Sequence, residues 1–242
     1  MSYEMARLGG LGRNLTYGML DRLGRAIVVG MFDERDFPTE ADLSREYAVS
    51  RSVTREAVKM LTAKGLLSAR PRQGTVVEPA AAWNLLDTDV LRWLMERKFS
   101  RTLLRQFTEL RAAIEPAAAA LAAARADAEG VLGITRGYER MVAAARGEDD
   151  TLEADIAFHV AVLRATGNPF YAQFEPMVAT ALHNSIRFTN RIKGHSASLP
   201  QHDAVRQAIL ARDAAGARAA MDRLIGDVMA LIDHAAGADL GG

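Results

Sequence analysis

The chain has 242 residues, of which 49 % are hydrophobic and 25 % charged, and it contains no cysteine. This composition fits one large or two modest globular domains. It excludes wholesale disorder, a disulfide framework, a thiolate metal site and a thiol nucleophile. No run approaches the roughly 18 apolar residues of a membrane helix. The opening MSYEMARLGGLGRNL has neither an apolar signal core nor a small-residue cleavage pattern, so a cytoplasmic chain with no membrane partner is expected.

Thirty basic residues balance thirty acidic ones, and the balance conceals an uneven distribution. Residues 43–77 hold seven basic and two acidic side chains, a local charge of +5, whereas residues 80–242 hold 18 and 20, a charge of −2. A small basic module on a neutral-to-acidic body is one electrostatic footprint of a DNA-binding regulator. Composition also shifts near residue 80. Beyond it lie Ala- and Leu-rich helix formers such as AAIEPAAAALAAARA, and the chain ends in a Gly-rich stretch expected to fray.

In chain order, Leu15, Met19, Leu23 and Ile27 recur at helical spacing over Asn14–Val29, with Gly30 as the stop. A short helix opens at Pro38-Thr39-Glu40-Ala41-Asp42, with Thr39 and Asp42 at the spacing of a loose capping box, and ends near Tyr47. Ala48-Val49-Ser50 reads as a tight turn. A second helix runs from about Ser52 to Lys64, with Val53, Ala57, Val58 and Leu61 inward and Gly65 as terminator. Leu66–Ser68 and Thr75–Val77 bracket Arg70-Pro71-Arg72-Gln73-Gly74, a hairpin with a basic tip. Two short helices, a three-residue turn and such a hairpin make a winged helix-turn-helix, whose second helix suits the major groove. Basic helices are also ordinary solvated faces, and some winged helices bind protein. Lys64 in particular reads as a solubilising surface residue.

FPTEADLSREYAVSRSVTREAVKMLTAKGLL (Phe37–Leu67) and RQGTVV (Arg72–Val77) resemble the winged helix of GntR-type bacterial transcription regulators. ELRAAIEP (Glu109–Pro116), DIAFH (Asp155–His159), Asn168-Pro169 and HDAVRQAILARD (His202–Asp213) resemble the all-helical effector (FCD) domain of the FadR-like subfamily. WNLLDTDVLRW (Trp83–Trp93) is similar to the corresponding stretch in repressors of D-galactonate and related sugar-acid catabolism. Its local alternative is an amphipathic helix with Trp83 and Trp93 packed at a domain seam. The fold implied is mainly α: a DNA-binding domain over 12–79, a linker with an interdomain helix over 80–98, an antiparallel helical bundle over 99–236 and a flexible tail over 237–242.

The resemblance implies contacts to double-stranded operator DNA from Arg45, Ser50, Arg51, Ser52, Thr54, Arg55, Gln73 and Gly74, with Arg51 and Arg55 dominant. It implies none from Ala41, where the family often has a basic residue. Asp155 and His159, four apart, share one helix face; that spacing suits either a shared metal or a surface hydrogen bond. By resemblance, Asp155, His159 and His202 match three of four positions for a divalent metal such as Zn, Ni or Fe, and the fourth falls at Leu224. Three ligands leave open positions for effector oxygens or water. The alternative is a metal-free site whose side chains bind the effector directly. Arg111 is expected to grip the effector carboxylate, or else to pair with Glu109, Glu115 or Asp155. Asn184 and Arg187 are expected cavity-lining groups. His183, His195 and His234 match no ligand position.

The implied protein is a homodimeric, effector-responsive repressor, released from DNA by a small carboxylate such as D-galactonate or another organic acid. The competing reading is a helical metalloenzyme using Asp155, His159 and His202. It leaves the basic module unexplained, and no nucleophile elbow, phosphate loop or HExxH motif accompanies it.

Overall fold

In the computed structural model, residues 2–97, 100–183 and 198–238 are described here, the side chains of 2–14 and 235–238 excepted. The chain divides into two compact units, Met1–Lys98 and Phe99–Gly242.

The first unit begins with α1 (Ser2–Val28), which starts earlier than the apolar spacing predicts. Met19, Leu20, Leu23 and Ile27 are buried, while Leu15 is 49 % exposed and lies outside the core. α2 (Glu40–Glu46) is capped by Thr39, whose hydroxyl accepts from the Asp42 amide at 3.2 Å and donates to the Asp42 carboxylate at 2.6 Å. The Asp42 carboxylate thus returns to the cap through the Thr39 hydroxyl, whereas the Glu or Gln of a capping box accepts from the cap's backbone amide. α3 (Arg51–Ala63) is capped by Ser50 and packs on α1 and α2. Gly65 ends α3 with φ +77°, and the amides of Gly65 and Leu66 return to the carbonyls of Thr62 and Leu61 at 3.0 Å. A β-carbon at Gly65 would also overlap the Ala82 carbonyl oxygen. β1 (Leu67–Arg70) and β2 (Gly74–Val77) then pair antiparallel, Leu67 opposite Val77 and Arg70 opposite Gly74, forming the wing.

The segment expected as a linker folds onto this first unit. After a 3-10 turn at Ala80–Ala82, α4 (Thr88–Leu94) packs on α1. Both Trp side chains are consumed here. Trp83 Nε1 donates to the Glu78 carbonyl at 2.9 Å, and Trp93 Nε1 donates to Asp21 Oδ1 at 2.9 Å. The buried Trp93 ring lies where a β-carbon at Gly24 would be. Lys64 corrects its expected role: only 13 % exposed, its ammonium donates to both Asp87 oxygens at 2.8 Å and lies 2.9 Å from Asp89. Burial opposes the charge on Asp89, but Lys64 and Arg92 outweigh it and hold that carboxyl below its ordinary range.

The second unit comprises α5 (Arg101–Arg125), α6 (Ala128–Ala145), α7 (Thr151–Arg164), α8 (Pro169–Ala172), α9 (175–183), α10 (Leu199–Leu210) and α11 (Ala214–Ala238). α6 contacts α7 across a short loop and α10 contacts α11 likewise, so each pair runs antiparallel. α5 packs against α7, α10 and α11. The shared core is made of Ala118, Ala122, Phe158, Leu163, Val205 and Met221 with their neighbours. Among the described residues no helix is long and apolar enough to cross a membrane.

Candidate functional site

The first unit presents a polar surface at the N-terminus of α3. Ser50, Arg51, Ser52 and Arg55 are exposed there, as are Gln73 and Gly74 at the wing tip. The Ser50 hydroxyl caps the helix through the Val53 amide and lies 2.9 Å from the Ser52 hydroxyl. Other cations of the module are occupied within the chain. Arg45 pairs with Asp42, Lys59 with Glu56 at 2.9 Å, and Arg70 with Glu78 at 3.1 Å. Arg51, Arg55 and Arg72 have no ion pair among the described residues. An exposed cation without an internal partner at a helix N-terminus is free to meet phosphate or a base edge.

Thr54 does not belong to this surface. It is fully buried, and its hydroxyl contacts Ser44 Oγ at 2.8 Å and donates to the Ser50 carbonyl at 3.3 Å. Its side chain ties α2 to α3, and the expected DNA contact is corrected to a packing role. Thr54 takes the fully buried slot beside Ala57, while Val53 is half-buried. Arg45 is exposed, but its guanidinium is shared with Asp42.

The second unit brings Asp155 and His159 of α7 together with His202 of α10, all nearly fully buried. One ligand atom from each lies within 4.8 Å of the others. His202 Nε2 is 3.0 Å from Asp155 Oδ1 and 3.3 Å from His159 Nε2, which is itself 3.7 Å from Asp155 Oδ1. The opposite ring nitrogens are held from outside: His202 Nδ1 faces the Ser198 carbonyl at 2.8 Å, and His159 Nδ1 faces Glu115 Oε2 at 2.5 Å. With each Nδ1 donating outward, each Nε2 turns a lone pair inward. Asp155 Oδ1 is buried with no hydrogen-bond partner. Two lone pairs and an orphaned anionic oxygen converging in a dry interior fit a divalent cation, with outer partners fixing both rings.

Glu115 is the site residue that sequence reasoning treated only as a salt-bridge partner. Burial raises its carboxyl, but Arg111 and His159 outweigh that and hold it at about 2. Arg111 is 2 % exposed; its Nε donates to Glu115 Oε1 at 2.5 Å and its Nη2 lies 3.4 Å from Oε2. Of the open alternatives for Arg111, the pairing with Glu115 is the one realised, and its guanidinium is not an open fork. The signal was present as Arg and Glu one turn apart, but that spacing is equally common on solvated faces. Leu224 of α11 is buried in the apolar core. His183 is half-buried with Nε2 3.8 Å from Glu153, and His234 is exposed. Asn184, Arg187 and His195 lie outside the described residues.

These features match known proteins over most of the chain. The family model "Bacterial regulatory proteins, gntR family" matches residues 21–77, and the "FCD domain" model matches residues 106–227. The galactonate operon transcriptional repressor of Escherichia coli K12 is 34 % identical over 205 residues, covering 83 % of this chain and 89 % of the relative. The uncharacterized HTH-type transcriptional regulator YieP of the same strain is 32 % identical over 216 residues, covering 88 % and 93 %. The solved structure of E. coli McbR/YncC shares the fold with a TM-score of 0.50 at 15 % identity, covering 91 % of this chain and 97 % of that one. The matched relatives are regulators, so the metalloenzyme reading of Asp155, His159 and His202 is set aside. A winged helix with unpaired arginines at its recognition helix, followed by an all-helical FCD unit, places this chain in the GntR family of DNA-binding transcription regulators.

Proposed function

We propose that the chain is a homodimeric repressor of a sugar-acid catabolic operon, released from its operator by a small carboxylate of the D-galactonate type. Two observations support the effector class: 34 % sequence identity with a galactonate operon repressor and the inward-facing cluster of Asp155, His159 and His202. The observation that carries the reading is Asp155 Oδ1, an anionic oxygen without a donor in a buried polar site. Such an atom needs a cation, or a hydroxyl from a ligand.

Asp155, His159 and His202 would hold a divalent Zn, Ni or Fe ion. When bound, that ion supplies open coordination positions for carboxylate and hydroxyl oxygens. The chain's own residues do the rest. Arg111 fixes Glu115, and Glu115 and the Ser198 carbonyl fix the two imidazoles. By family resemblance Leu224 stands in place of a fourth ligand, so the effector completes the shell. On the DNA side Arg51 and Arg55 meet base edges and phosphate, and Arg45, Ser50, Ser52, Gln73 and Gly74 give supporting contacts. A C2 dimer presents two such helices to a pseudo-palindromic operator. The effector shifts the balance between binding-competent and released states by its differential affinity for them.

Gel retardation on the chain's own upstream DNA, with a panel of aldonates and with or without chelator, tests this reading. Retardation relieved by an aldonate is the expected result. Retardation that no aldonate relieves overturns the effector class, and absence of retardation at low salt overturns the DNA target.

A further inference from the structure

We propose that the outer face of α6 receives a second copy of this chain, α6 packing antiparallel on its own copy about a twofold axis between Leu132 and Gly133. The inference deepens the homodimer of the proposed function and rests on that reading for its need of a dimer.

A groove of about 570 Å³ runs along α6 and α7. Its lining includes Glu129, Leu132, Gly133 and Arg136; Leu132 and Gly133 lie three and four residues after Glu129 and four and three before Arg136, so the set shares one face of α6. That stripe is self-complementary. Across a twofold axis relating antiparallel helices, paired residue numbers have a constant sum. With the axis between 132 and 133, Glu129 meets the partner's Arg136, Arg136 meets the partner's Glu129, and Leu132 meets the partner's Gly133. Each opposite-charge pair and each knob-and-hole contact therefore occurs twice, as an isologous interface requires.

The glycines separate what the fold needs from what it leaves open. A β-carbon at Gly137 would sit 2.8 Å from Phe158 Cα, so the close contact of α6 with α7 requires that glycine. A β-carbon at Gly133 would meet only the Ala161 β-carbon at 3.9 Å, an ordinary contact. The chain's own packing does not demand Gly133, and glycine weakens a helix interior. Its bare surface adjoins Leu132, which is 46 % exposed, so a hole lies next to a projecting apolar side chain.

Charge points the same way. Arg140 is neutralised by Asp149 through bonds of 2.8 and 3.0 Å, and Arg164 by Glu175 at 2.7 Å. Glu129 and Arg136, both exposed, have no ion pair among the described residues. Elsewhere on the groove Asp127 caps α6 through the Gly130 amide and Arg125 stands at the end of α5; on the α6 stripe itself Glu129 and Arg136 are the charges available to a partner, one at each end.

The test is sedimentation of the full chain from nanomolar to micromolar concentration, with thermal melts to verify folding. Wild type is expected to dimerise. Glu129→Arg and Arg136→Glu each place like charges at both contacts and should raise the dimer dissociation constant at least tenfold. An equimolar mixture of the two variants should dimerise again, because both cross-contacts then join opposite charges. Gly133→Gln, whose β-carbon the fold accommodates, should weaken the dimer without lowering the melting temperature. A monomeric wild type, single variants that dimerise as tightly as wild type, or a mixture no tighter than its components would each overturn the proposal. Operator binding is read separately. A disrupted and rescued dimer whose wild type ignores its upstream DNA refutes the regulatory reading alone. Variants that stay dimeric while wild type binds that DNA refute this surface alone.

Discussion

His202 Nε2 sits 3.0 Å from Asp155 Oδ1, while the same ring's Nδ1 is committed to the Ser198 carbonyl at 2.8 Å. The imidazole therefore turns its free nitrogen toward an anionic oxygen that has no hydrogen-bond donor. Two acceptors facing each other in a buried site repel unless a cation or a ligand proton lies between them. Elemental analysis of gently purified protein should find a transition metal that is lost in His159→Ala and His202→Ala. Leu224→His, which puts an imidazole where the family resemblance implies a fourth ligand, should slow its release to chelator. Metal-free protein after reconstitution, with effector binding indifferent to chelator, would leave only the direct hydrogen-bonding role for these side chains.

Arg111 acts on the site through Glu115. Glu115→Gln keeps the shape but weakens the orientation of His159, and loss of such outer partners costs roughly 10–100-fold in metal affinity. Arg111→Ala leaves the Glu115 charge buried without its main counter-ion, with an expected loss of about 3–5 kcal/mol in the stability of the second unit. Denaturant titration of Arg111→Ala, Arg111→Lys and Glu115→Gln checks the order. If Arg111→Ala melts like wild type and loses only effector affinity, the open-fork role is restored.

Arg55→Ala should weaken specific operator binding by about 1–3 kcal/mol, the range of a good base contact. Thr54→Val should differ in kind, because Thr54 is buried and its hydroxyl is used inside the unit. It should lower stability by about 1 kcal/mol, the worth of a hydrogen bond, and leave operator affinity per folded molecule unchanged. Fluorescence anisotropy with a folded-fraction control separates the two. A Thr54→Val defect in affinity without a stability change would return Thr54 to the interface.

Ala48 closes the turn between α2 and α3 with φ 52°, its neighbour Val49 bonding back to the Ser44 carbonyl at 3.1 Å. A left-handed conformation costs a side-chain-bearing residue about 1–2 kcal/mol, which glycine avoids. Part of that gain is returned through the more flexible unfolded chain. Ala48→Gly should therefore raise stability by about 0.5–1 kcal/mol, seen as a higher melting temperature of the first unit. An unchanged or lower melting temperature contradicts the strain argument.

Lys64, Asp87 and Asp89 fasten the end of the recognition helix to the start of α4. Asp89 is held below its ordinary 3.8 because Lys64 and Arg92 outweigh burial. A carboxyl lowered by folding gives stability that is full above its unfolded value and is lost as pH falls below it. Stability of the first unit should thus decline from about pH 4 downward. Lys64→Met should lower stability at pH 7 by about 1 kcal/mol and flatten this acid limb. An acid limb identical in the variant would assign the decline to other carboxylates.

The capping residues Thr39 and Ser50, the Gly65 stop and the hairpin around Gly74 were all legible in the sequence. Each depends on hydrogen bonds and dihedrals spanning only a few residues. The family followed from the same local motifs. Asp155 and His159 were placed on one face by their spacing alone, and resemblance added His202. What spacing could not provide was which face meets the core and which side chain meets which. Thr54 and Arg55 are adjacent polar residues in one motif, yet one is buried against Ser44 and the other exposed, because the packing of α2 on α3 selects the inward face. Arg111 was legible as a cation among apolar neighbours, but its commitment to Glu115, and that of Glu115 to His159, needed α5 laid against α7. The linker helix was assigned to the first unit only by the Trp93 ring against α1 at Gly24. Local geometry propagates over one turn and is written in neighbouring residues. Contacts between residues some 40–70 positions apart are decided by how the elements pack, because burial energy is shared among all the surfaces that meet.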